Sequence, residues 1–248
     1  MSNNLYSADF ELDSNQYASI ADGSQTGLDV ATDLSGEAWI KLEQLASVAG
    51  TNQQIFSKYE QTLSQRAYEF YVDTNDVLKI DVSDDGTSNA THIVDIVSTT
   101  TIAALTWYHV AFAFDISAET CQFYISTQDA FDVSGEAGTK NGSMGANIHN
   151  STAAFVIGAS LDNGSPIQYF DGKINNCRVF SDLRTAGEIA ANWKRVLTSA
   201  NNLQGSWYAP ANDHVDLTTN NNDLTASGSP TFVTDVPFKV GGGFLNLI

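Results

Sequence analysis

Two short runs of strictly alternating residues constrain this chain more than anything else in it. Tyr68, Phe70 and Val72 place apolar side chains at every second position, and Leu78, Ile80 and Val82 repeat the pattern a few residues on. That period belongs to a strand with one buried face, because successive side chains leave a strand on opposite sides. Asp73-Thr74-Asn75-Asp76 joins the runs, and a short polar connection is ordinary for a hairpin. A two-stranded ribbon is barely stable alone, so the greasy face must pack against a second layer.

The alternation recurs along the chain. Residues 107–114 carry Tyr108, Val110, Phe112 and Phe114 on one face and Trp107, His109, Ala111 and Ala113 on the other. Apolar character on both faces implies cover on both faces, hence a central strand. Further strands read at 37–42, 54–59, 92–97, 121–125 and 155–158. Residues 169–193 read as a turn at Asp171-Gly172, a strand, a second turn and a short helix. Ile174, Cys177 and Val179 break the strand's parity, and a β-bulge at Asn175-Asn176 would restore it. Thr185 with Glu188 is a capping-box spacing. Ile189, Trp193 and Val196 or Leu197 then form one apolar stripe, which predicts a helix near 185–197.

Three stretches carry a resemblance. Phe170-Asp171-Gly172-Lys173-Ile174 with its following strand and capped helix, Trp107-Tyr108-His109-Val110-Ala111-Phe112, and Ala38-Trp39-Ile40-Lys41 occur in the order found in the laminin G-like, concanavalin A-like jelly rolls. The chain resembles that family over roughly residues 5–197. The resemblance implies an all-β, two-sheet antiparallel jelly-roll sandwich with one short helix. It also implies a lectin-like recognition or adhesion role, with glycans or cell-surface polysaccharide as partners and Ca²⁺ held at a rim loop. Proteins of this kind work outside cells or on virion surfaces. Residues 203–238 resemble a segment that usually precedes the family's first strand, so they are expected to return to the N-terminal edge of a single domain spanning 1–240. Residues 241–248, GGGFLNLI, read as a flexible joint and an apolar tail suited to self-association.

Charge narrows the partners. The formal charge is −18, from 29 acids against 11 bases, which disfavours nucleic acid and anionic lipid. No stretch is long and apolar enough for a membrane span, and residues 1–14 do not read as a secretory signal. Cys121 and Cys177 both fall on apolar strand faces; buried free thiols are one reading and a single bridge the other.

Catalytic patterns are missing from the sequence. The glucanases sharing this fold need two carboxylates on one strand face, and Glu11-Leu12-Asp13 begins such a motif but finds Asn15 and Gln16 where the second acid belongs. Glu69 lacks both partners of that motif. No nucleophile elbow, zinc-protease helix or P-loop occurs. A non-catalytic module is therefore expected, with a structural capsid, tail or filament subunit and a divergent glycosidase as alternatives. Sugar binding calls for an aromatic platform flanked by amides and acids, for which Tyr169, Trp207 and Tyr208 are candidates. Trp39, Trp107 and Trp193 read as core. For Ca²⁺ the rim loops at Asp73–Asp76, Asp84-Asp85 and Asp162-Asn163 offer oxygens, with Asp162 and Asn163 preferred because they precede the Tyr169-Phe170-Asp171 stretch.

Overall fold

The computed structural model describes residues 5–209 and 214–239. They form two antiparallel sheets stacked face to face, a jelly-roll sandwich, with little helix. The first sheet has nine strands. Its order is β10 (Glu136–Ala137), β9 (Thr120–Thr127), β8 (Tyr108–Asp115), β3 (Leu34–Leu42), β15 (Gly172–Phe180), β1 (Ser7–Phe10) and β19 (Thr231–Val233), with β16 (Leu203–Tyr208) and β17 (Val215–Asp216) branching from β15. The second has ten. Its order is β11 (Thr139–Ser143), β7 (Ile93–Thr101), β6 (Val77–Ser83), β5 (Gln65–Val72), β4 (Gln53–Glu60), β12 (Phe155–Ile157), β2 (Tyr17–Ile20) and β18 (Thr225–Ser227), with the hairpin β13 (Ser160–Asp162) and β14 (Ser165–Ile167) beside β4. Among the described residues no helix is long and apolar enough to cross a membrane.

The alternating runs do what their period requires. Phe70 pairs with Ile80 and Tyr68 with Val82, and these side chains enter the core between the sheets. Phe112 from β8 meets Phe70 and Phe56 there, with ring centroids 4.9 and 6.2 Å away. Each such ring contributes on the order of 2–3 kcal/mol by leaving water. Both cysteines lie inward in this core and are free.

The bulge predicted at Asn175-Asn176 is present. The β15–β3 register slips between Asn175 and Arg178, and Asn176 adopts φ 49°. The slip divides the other edge of β15 in two. Residues before it pair with β1, and residues after it pair with β16. Downstream, β19 pairs with β1 and β18 with β2.

The helix α2 spans Ala186–Asn192, after a shorter helical turn α1 at Ala46–Ala49. Thr185 caps α2 through Glu188, and both halves of the capping box are made. The helix is shorter than the stripe suggested. Trp193 is its last half-turn, and Leu197 packs separately against Phe180 and Leu203. Ile189 covers Ala111, Ala113 and Tyr124 on the outer face of the nine-stranded sheet. Trp193 stacks on Trp39 at 5.5 Å, beside Trp107 and Phe238. Residues 241–248, expected as a docking tail, lie outside the described residues.

Candidate functional site

Every residue between the inward ones on β5 and β6 faces away from the core. Those residues are not apolar. Ser57, Glu69, Asp81, Asp95 and Asn141 stand opposite one another on β4, β5, β6, β7 and β11, so they form one polar row across five strands. A second row beside it holds Gln54, Tyr71 and Lys79. The side chains are linked end to end. Asn141 Nδ2 donates to Asp95 Oδ2 at 3.0 Å. Lys79 Nζ lies 3.6 Å from both Asp95 Oδ1 and Asp81 Oδ1. Tyr71 donates its hydroxyl to Asp81 Oδ2 at 3.0 Å. Gln54 Nε2 donates to Glu69 Oε2 at 2.7 Å and to Gln168 Oε1 at 3.0 Å. Ser160, at the start of the β13–β14 hairpin, donates to Glu69 Oε2 at 3.2 Å, so the hairpin bounds this face on one side.

Electrostatics of the row are set by burial. Glu69 and Asp81 are both buried and face each other directly across β5 and β6. Burial, and then the neighbouring Asp81 carboxylate, push the Glu69 carboxyl well up. Burial also raises Asp81, against the pull of Lys79 and Tyr71. Tyr59 and Tyr71 flank the pair; burial and the two carboxyls raise both phenols, so both stay neutral. Among the described residues, two buried acceptors here have no donor: Gln54 Oε1 and Asp81 Oδ1. The Lys79 ammonium is too distant from Asp81 Oδ1 for a hydrogen bond.

The nine-stranded sheet offers a different outer surface. Glu37 on β3 lies between Arg178 on β15, 2.6 Å away, and His109 on β8, 3.0 Å away. Burial would raise Glu37, but Arg178 and His109 more than reverse it, and the carboxyl is brought down to about 2. Arg178 also donates to the carbonyls of Asn192 and Arg195, which ties α2 to the sheet. Next to α2 is a groove of about 500 Å³ lined by Tyr124, Gln122, Thr120, Asp115 and Leu183–Thr185. Its polar groups are engaged: Gln122 with Ser134 O, Asp115 with Ser117 and Ala118, and Arg184 with Asp182 and Glu188. Tyr124 itself is buried.

The residues named from sequence fall in scattered places. Tyr169 is half-buried at the sandwich edge, with its ring 6.3 Å from Tyr17. Trp207 and Tyr208 are buried at 3% exposure each, not open at the surface. Both lie on β16, not on a loop; Trp207 stacks on Phe155 at 4.6 Å and donates to Asn222 O. Asp162 and Asn163 sit at the tip of the β13–β14 hairpin. Asp162 accepts the Thr62 hydroxyl, and Asn163 takes the left-handed turn conformation at φ 50°. Among the described residues, Asp84, Asp85 and His92 bring three ligand atoms within 4.8 Å of one another. There His92 Nδ1 bonds Asp84 Oδ1 at 2.9 Å, and Asp84 Oδ2 accepts from Gly145 N.

Sequence reading missed the Glu69–Asp81 partnership because it sought a second acid along one strand. The signal was available across the hairpin. Once Phe70 faces Ile80, Glu69 must face Asp81.

Comparison with solved structures places the fold among known relatives. A protein from Bacteroides ovatus, provisionally assigned to carbohydrate binding, superposes with TM-score 0.67 at 16% identity, over 96% of this chain and 62% of its own. The chain therefore spans under two thirds of that protein's length. A heptameric SAP-like pentraxin from Limulus polyphemus gives TM-score 0.54 at 13% identity, over 93% and 95% of the two chains. The CBM40 module of the Ruminococcus gnavus IT-sialidase, solved with α2,3-sialyllactose, gives 0.52 at 12% identity, over 71% and 96%. No curated protein matches in sequence. A family model described as the concanavalin A-like lectin/glucanases superfamily, Laminin_G_3, matches residues 12–190, and the chain belongs to that family.

Proposed function

We propose that this chain is a non-catalytic glycan-recognition module, working at an extracellular or virion surface. Its ligand lies across the polar outer face of the ten-stranded sheet. The observation that carries the reading is the in-register row from Ser57 to Asn141, with Gln54 Oε1 and Asp81 Oδ1 left as buried acceptors beside Tyr71. Sugar hydroxyls are donors, and they would pair with those atoms. Asp81, Lys79, Asp95 and Asn141 supply contacts that fix orientation, and the β13–β14 hairpin supplies a wall. The carbohydrate-binding descriptions of the structural relatives favour the same class of ligand.

Hydrolysis fits this face poorly. Glycosidases hold their two carboxyls about 5–5.5 Å apart for retention or roughly 6.5–9.5 Å apart for inversion. Glu69 and Asp81 are buried cross-strand neighbours, and burial pushes both carboxyls up, so neither is held ready as a carboxylate nucleophile or base.

A glycan array probed with the intact chain, with and without Ca²⁺, tests the reading and the expectation of a rim calcium together. Asp95→Ala and Lys79→Ala should each weaken binding about tenfold or more, and Gln122→Ala in the opposite groove should not. Binding that survives both changes but is lost with Tyr124→Ala would move the site to the groove beside α2. Sugar release from polysaccharides would overturn the non-catalytic part.

A further inference from the structure

We propose that Glu69 and Asp81 share one proton across β5 and β6, and that this pair makes the face select uncharged glycans over carboxylate-bearing ones. The assignment rests on the glycan reading above and names the ligand class for that site. Geometry carries it first. The two residues stand directly opposite on neighbouring strands, both at least nine-tenths buried. Among the described residues the ammonium paired with Asp81 is Lys79, 3.6 Å away and divided with Asp95. Two bare carboxylates on facing cross-strand positions at this depth would lack compensation, and a proton held between them removes the conflict.

Gln54 supplies an independent observation. Its side chain is fully buried, its Nε2 donates to Glu69 Oε2, and its Oε1 has no donor among the described residues. The amide therefore presents an acceptor at the pair. A ligand hydroxyl completes it; a ligand carboxylate cannot, because it has no hydrogen to give.

Charge points the same way. The titratable and charged groups facing the pair are Tyr59 on β4, Tyr71 on β5, Lys79 on β6 and Asp95 on β7, with Arg66 beyond Tyr59. The Arg66 guanidinium lies over the Tyr59 ring, 5.7 Å from its centroid, and donates to Gly86 O. Lys79 is thus the cation within reach of the row, and it already serves two acids. An anionic sugar would add a third negative charge beside Asp81 and Asp95. An uncharged sugar brings hydroxyl donors to a surface with several oxygens to accept them. Asp81 makes the ligand contact, and Glu69 is a positioning residue acting through it. When the proton leaves at higher pH, the two buried carboxylates repel each other and Asp81 is no longer held in place, so affinity for uncharged sugars falls.

Two measurements on the intact chain test this. The first is a carboxyl ¹³C titration of Glu69 and Asp81. One proton should be retained well above the ordinary carboxylate range; two ordinary, independent titrations would overturn the pair. The second is binding of uncharged probes (maltohexaose, laminarihexaose, cellohexaose) against acidic ones (sialyllactose, trigalacturonate) across pH. Uncharged probes should bind at least about tenfold tighter, with affinity falling as the shared proton is lost. Glu69→Gln should keep that preference and flatten the pH profile; where that variant does not fold, the wild-type profile and the titration still decide. Equal binding of both sets overturns the selectivity alone. No binding of either set, with the shared proton present in the titration, overturns the glycan reading and the selectivity with it.

Discussion

Glu37 and Glu69 are the same residue at nearly the same depth, on the outer faces of the two sheets, and they end in opposite states. Glu37 has Arg178 and His109 against it and is held as a carboxylate, with its value near 2. Glu69 has Asp81, Gln54 and Ser160 and is pushed the other way. Depth alone does not decide the charge of a buried acid; the nearest ionisable partner does. The nine-stranded face is covered by α2 and the Trp39 cluster, and its buried acid is paired with cations. The ten-stranded face has a buried acid set against another acid. Both layers keep some buried polar atoms without partners among the described residues, so the difference lies in the sign of the neighbouring charge.

The largest expected effect is Glu37→Gln. It leaves the Arg178 guanidinium buried without its anion and should cost about 3–5 kcal/mol in denaturant unfolding. Glu69→Gln should cost far less, and at a pH above Glu69's own raised value it should stabilise. The pH dependences also oppose each other. Glu37, lowered from the ordinary 4.5, contributes stability that is present above that value and fades as pH falls towards 2. Glu69, raised, contributes stability that is complete below the ordinary carboxylate range and fades as pH rises through its own higher value. Thermal melts from pH 2 to pH 9 should therefore lose the acid limb in Glu37→Gln and the alkaline limb in Glu69→Gln. The wild-type limbs persisting in both variants would break the comparison. Thr185→Ala removes the cap of the covering helix and should cost about 1 kcal/mol, with nothing changed on the polar face. Tyr71→Phe deletes the hydroxyl bonded to Asp81 and should cost roughly 0.5–1.5 kcal/mol while raising Asp81 further.

The parts of the fold legible in the sequence are those governed by local period. The hairpin from Tyr68 to Val82, the bulge at Asn175-Asn176 and the Thr185–Glu188 box follow from spacing alone. Trp207 was misread because its strand is short and its neighbours Gln204, Gly205 and Ser206 look like loop. Its burial comes from β15 and Phe155, far away in the chain. The polar face was legible only in part. Which residues face outward follows from alternation; which of them meet depends on register, and register is a property of two strands at once. Asp162 and Asn163 sit at a tight turn, and the sequence does not separate turn residues from an oxygen donor set because both use the same side chains.

The bulge in β15 has a consequence for how the molecule is made. One edge of that strand receives both β1, from the beginning of the chain, and β16, from near its end; Ser7 then meets Val233 through β19. A ribosome delivers these pieces in order, so β1 and β2 emerge early and wait with bare backbone edges for partners more than two hundred residues behind them. Contacts of such separation close slowly. The nascent chain should therefore stay dependent on shielding, by chaperones or by its own strong negative charge, until β19 clears the exit tunnel.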